Sequence, residues 1–155
     1  MTPINWSRVF LGGLVAGVII DASEFLANGV FLAQNWANAM KALNQPEMSG
    51  TTILAFNITG LITGIFAVWL YAAVRSRYGA GPKIALGAGA ATWFIGYLVP
   101  SIAPAAMHLF PRRLLAIGVA VGLIEMVVGT LAGASLYKEA DERQAAPKAK
   151  AAAAS

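Results

Sequence analysis

The chain has no cysteine and a single histidine, His108, among its 155 residues. Disulfides, thiolate metal sites and cysteine nucleophiles are thereby excluded, as is any centre built from several histidines. Charge is scarce too. Asp, Glu, Lys and Arg make up 12% of the residues and hydrophobic ones 58%, whereas soluble domains are about one quarter charged. This is the composition of a membrane protein. The net charge of +4 is not gathered into a basic patch with interleaved aromatics, so nucleic acid is not expected as a partner. No cofactor or metal motif is present either.

What the chain does have is long apolar runs. Crossing about 30 Å of hydrocarbon takes roughly 20 helical residues. Four stretches meet or approach that length, and they predict an all-α polytopic protein with helices at about 8–33, 51–75, 83–100 and 113–137 in one transmembrane domain, residues 1–138. The third should be short or kinked, because Pro100, Pro104 and Pro111 interrupt it and a proline inside a helix removes a backbone bond. Residues 35–44 read either as a short amphipathic helix on the outer surface or as an extension of the first span. Residues 139–155 are charged and Ala-rich without an apolar face, and read as a disordered cytoplasmic tail.

The basic residues cluster at the ends of these runs. Positive loops tend to stay in the cytoplasm. With the N-terminus inside, Arg8, Arg75, Arg77, Lys83, Lys138, Arg143, Lys148 and Lys150 are cytoplasmic, and only Lys41, Arg112 and Arg113 lie outside. Both termini are therefore expected inside. Trp6, Trp36, Trp69, Tyr71, Tyr78 and Tyr137 fall near span ends, where amphipathic rings favour the interface. A secretory signal peptide would compete for the first segment, but the apolar character resumes directly after Glu24.

Small and polar residues share faces. At 100° per residue, Gly13, Gly17, Asp21, Glu24 and Asn28 occupy an arc of about 80° on the first helix. The second helix aligns Asn57, Gly60, Gly64, Ala67 and Tyr71, and the fourth aligns Gly118, Gly122, Glu125, Gly129, Ala132 and Gly133. Helix three offers Ala85, Gly89, Thr92, Trp93, Gly96 and Pro100. Small residues four apart let backbones approach closely, and helices in lipid associate by packing and hydrogen bonding more than by the hydrophobic effect. These faces are expected to point inward, leaving the Leu-, Val-, Ile- and Phe-rich faces to lipid.

Asp21, Glu24 and Glu125 then become the central question. Asp21 stands about 13 residues from Arg8, and Glu125 about 13 from Lys138, which places both roughly 20 Å from the same membrane face. With Asn28 and Asn57 they are expected to form an interior polar cluster. No Lys or Arg interrupts the apolar runs. An unpaired carboxylate at the bilayer centre costs at least about 2.5 kcal/mol. Each acid must stay protonated, bind a cation, reach water or meet a charge on another chain.

Two functions use this pattern. In one, the protein is a packing, accessory or oligomer-forming membrane subunit whose small-residue faces meet another copy or a membrane-protein partner, and the acids are structural. In the other, the cluster is the coupling site of a proton- or cation-linked small-solute transporter, since intramembrane acids mark ion pathways. RVFLGG from Arg8 and KIALGA from Lys83 repeat one pattern at the start of helices one and three, as parallel repeats in transporters do. Catalysis is not expected. His108, with Arg112 and Arg113, reads as an ordinary polar loop residue or part of an anion or headgroup site.

The run INWSRVFLGGLVAG, followed by EFLANGVFLAQNWANAMKALN and three further spans, resembles a group of small bacterial four-helix membrane proteins with no known activity. The resemblance covers about the first 140 residues. It implies a bacterial cytoplasmic-membrane location and says nothing about chemistry.

Overall fold

Residues 4–46 and 48–139 are described by the computed structural model. Four helices are long and apolar enough to cross a membrane: Trp6–Phe31, Gly50–Tyr78, Pro82–Ala106 and Arg112–Ser135. Among the described residues there is no strand. The protein is an all-α, multi-pass bundle. Most of the tail at 139–155 lies outside the described residues, including Arg143, Lys148 and Lys150.

The first span is α1 (Trp6–Glu24) continued by a π-wound stretch, Phe25–Phe31. Helix α2 (Ala33–Ala42) fills the following loop, and α3 (Gly50–Tyr78) is the second span. The third comprises α4 (Pro82–Trp93), a π-wound stretch Phe94–Leu98, and α5 (Val99–Ala106); the fourth is α6 (Arg112–Ser135).

Local chemistry sets most of the boundaries. The Asn5 side chain accepts from the Arg8 N–H at the start of α1, and Ser49 accepts from the Thr52 N–H at the start of α3. At the other end of α3, Gly79 has φ 90° and Gly81 φ 145°, conformations open to glycine, and Pro82 then begins α4. The third span reaches Ala106, past both Pro100 and Pro104, and does not stop at residue 100. Its irregularity appears just before Pro100, where the proline ring would strike a regular helix's carbonyl at residue 96. The wider π winding takes up that conflict.

Helix α1 lies against α3 and α6, while α4 lies against α6 and α3. Glycine makes this closeness possible. An added methyl at Gly64 would run into the backbone of Gly13 and Gly17, and methyls at Gly13 and Gly17 would press on the Cα atoms of Ile65 and Leu61 at 2.5 and 2.7 Å. On the α6 side, Gly12 and Gly133 face each other's carbonyls, and a methyl at Gly129 would come within 3.0 Å of the Ala16 carbonyl. Gly89 on α4 is equally close to the Met126 carbonyl of α6. The consecutive pair Gly12 and Gly13 thus serves two interfaces, one with each neighbour.

The larger buried cluster is at the end where Asn5 and Tyr137 lie. Val9, Tyr71, Ala72, Ala85, Ala88, Ala134 and Tyr137 form a buried cluster there. Tyr71 and Tyr137, expected near the membrane surface from their position at span ends, are buried within the protein and meet edge to face at 6.1 Å. Tyr137 also receives the Asn5 N–H on its hydroxyl and carries the Arg75 guanidinium over its ring. Arg75 in turn pairs with Glu139 at 3.2 Å. Phe10, Leu14, Val18, Ile62, Phe66, Ile95, Ile124 and Val128 point outward, as helices surrounded by lipid require.

The opposite end is looser. In α3, residues 51–59 are exposed except for Thr52. Asn57 belongs to this stretch. It does not enter the bundle interior, and its amide donates back to the Ile53 carbonyl at 2.9 Å. Thr59 bonds in the same way to Ala55. Back-bonding of this kind lets a polar side chain satisfy itself within its own helix.

Candidate functional site

Glu125 is the deepest charged group, with 2% of its surface exposed. Tyr97, in the π-wound stretch of the third span, donates its hydroxyl proton to Glu125 Oε1 at 2.5 Å. The geometry depends on Gly122, because a methyl there would occupy the Tyr97 ring. Gly122 and Glu125 are one helical turn apart, so the ring rests on the glycine while its hydroxyl reaches the carboxyl group. Glu125 Oε2 is buried and has no hydrogen-bond partner among the described residues.

The first span supplies the rest. Asp21 is half-buried, with its carboxyl group in the notch that Gly60 leaves on α3. Glu24 accepts from the Asn28 amide, and Asn28 Oδ1 accepts from Trp36 Nε1 at 2.8 Å. Asp21 and Glu24 both lie near Glu125 and Tyr97. Three carboxyl groups and one phenol therefore share a neighbourhood that contains no Lys or Arg among the described residues. No three His, Asp or Glu side chains among the described residues are arranged to hold a metal ion.

Of the residues singled out in the sequence, Asp21, Glu24, Asn28 and Glu125 come together, and Asn57 stays outside. Gly13, Gly17, Gly60, Gly64, Gly122, Gly129 and Gly133 all abut a neighbouring helix or side chain, whereas Gly118 faces open space. Two of these glycines also make room for a side chain from another helix. Gly60 seats a carboxyl group and Gly122 seats a ring. Tyr97, Trp36 and Gly12 belong to the arrangement without having been picked out for it. The available signal for Tyr97 was an aromatic hydroxyl within an apolar run.

His108 is remote from this cluster. It is exposed, with Nε2 3.0 Å from Arg112 Nη2.

No protein family, curated protein or solved structure matches this chain.

Proposed function

We propose that this protein is an oligomer-forming or accessory subunit of the bacterial cytoplasmic membrane, with both termini in the cytoplasm. The observation that carries this reading is the exposed part of α3. Over residues 51–59 the second span has almost no packing partner among the described residues, although the rest of α3 is held closely by α1. Helices in a bilayer associate by close packing and polar contacts. Ile53, Leu54, Phe56, Ile58 and the polar Asn57 together offer a face of that kind. Native mass spectrometry from a mild detergent is expected to find a dimer, a higher oligomer or a co-purifying membrane protein; a bare 16.1 kDa monomer under all gentle conditions would count against the reading.

The orientation rests on the distribution of Lys and Arg. A Ser155→Cys variant should resist a membrane-impermeant thiol reagent in intact spheroplasts and react after lysis. Labelling before lysis would reverse the topology.

A second reading is supported by Glu125 Oε2, a buried carboxyl oxygen without a bond, beside two further acids. Such a group suits a proton- or cation-coupled transporter. Gradient-driven flux in proteoliposomes that disappears in Glu125→Gln and Asp21→Asn would favour it, because both substitutions keep shape and hydrogen-bonding capacity but remove titration. The subunit reading expects no flux from the wild type and folded, stable variants.

A further inference from the structure

At the membrane end opposite Asn5 and Tyr137, a half-open groove of about 780 Å³ lies between α2 and the loop joining α5 to α6. Its two sides differ in chemistry. His108, Arg112 and Arg113 stand along it with the amides of Asn35 and Asn38, and no acid among the described residues lines it. Among the described residues no carboxylate pairs with either arginine. The remaining lining is apolar. Leu32, at the end of the first span, and Leu114 and Ile117, in the first turns of α6, carry it from the rim toward the hydrocarbon.

The groove is built into the fold. Trp36 on α2 packs edge to face against Phe110 of the loop at 5.5 Å, and its indole N–H is anchored on Asn28. These contacts hold the two walls together. His108 takes a left-handed backbone conformation, φ 54°, and its ring stands 3.0 Å from the Arg112 guanidinium. Arg112 and Arg113 begin α6, the fourth span, so the basic rim is at the level where lipid headgroups begin. An occupant must be anionic at the rim and apolar below it.

We propose that this groove binds an anionic phospholipid, with its phosphate at His108, Arg112 and Arg113 and an acyl chain along Leu32, Leu114 and Ile117. Charge complementarity selects the headgroup, since guanidinium groups match phosphate oxygens in geometry and charge. The apolar side and the depth in the membrane select a lipid over a soluble phosphate.

The test uses the full chain in nonionic detergent, titrated with phosphatidylglycerol or phosphatidylcholine of the same acyl composition and read by native mass spectrometry. Phosphatidylglycerol should be retained roughly thirtyfold more tightly, the order expected when two basic groups, each worth about 1 kcal/mol, meet an anionic headgroup. Arg112→Gln with Arg113→Gln should abolish the preference, while Arg8→Gln at the other end should leave it intact. Asn35→Phe, at an exposed position, should block binding by filling the groove with both arginines still present. It decides the matter if the double variant does not fold. Equal retention of the two lipids by the wild type would overturn the proposal, as would undiminished preference in Asn35→Phe. Displacement of the lipid by glycerol 3-phosphate at comparable concentration would overturn the lipid assignment in favour of a soluble phosphate.

Discussion

Gly64→Leu and Gly17→Leu are each expected to lower the melting temperature in detergent sharply, and Gly118→Leu to leave it close to the wild-type value. All three replace a span glycine with the same apolar side chain, so composition alone predicts the same effect for each. Geometry separates them. At Gly64 the first added carbon would overlap the backbone of α1, and at Gly17 it would press on the Leu61 Cα of α3 at 2.7 Å. A backbone cannot swing aside as a side chain can. Overpacking typically costs about 1–3 kcal/mol, and here relief requires α1 and α3 to separate along their main contact. Gly118 has no atom within 4 Å of such a carbon. Three equal melting temperatures would mean that the glycine faces are not interfaces.

Tyr97→Phe is expected to have the second-largest effect. It keeps the ring on Gly122 but removes the donor to Glu125 Oε1, and the other oxygen of that carboxyl group already lacks a bond. Leaving a buried acceptor unsatisfied costs about 1–3 kcal/mol. In a Glu125→Met background the same change should cost much less, because no carboxyl group remains to be satisfied. A double-mutant cycle in detergent isolates this coupling. Additive losses would show that Tyr97 contributes by ring packing alone.

The four spans were legible in the sequence because length and apolarity fix where a chain can cross a bilayer. The inward direction of Gly13, Gly17, Gly60, Gly64, Gly129 and Gly133 was legible from the 100° period. Asn57 and Gly118 show where that period fails: it gives the direction a residue faces and not the distance to the next helix. Asn57 shares an arc with Gly60 and Gly64, but the close contact of α1 with α3 ends near the Asp21 carboxyl seated at Gly60. Beyond Glu24 the first span winds into its π stretch. One turn further along α3, Asn57 is left exposed. Gly118 lies one turn beyond Gly122, where the Tyr97 ring fills the space between helices, so no backbone reaches it. The π stretch before Pro100 has a local cause in that proline. The stretch at Phe25–Phe31 has no proline within it, and nothing in the local sequence announces it.

The two π stretches flank the carboxyl cluster. One begins immediately after Glu24, and the other carries Tyr97. Such turns are frequent at functional sites. Here they bring Asn28 to Glu24 and Tyr97 to Glu125, so each glutamate has a neutral hydrogen-bond donor in place of a cation. That arrangement accounts for acidic groups at membrane depth without Lys or Arg.

The proposed interface between residues 51–59 of α3 and another chain can be examined by a single-cysteine cross-linking scan in native membranes. The absence of natural cysteine makes every disulfide product attributable to the introduced residue. Cysteines placed one at a time at Ile53, Phe56, Asn57 and Ile58 should yield a cross-linked dimer, or a fixed-mass adduct with one partner, at positions on one face of the helix. Ile124→Cys, on the exposed face of α6, should yield none. Cross-linking absent from all four α3 positions, or no stronger there than at Ile124, would contradict the claim.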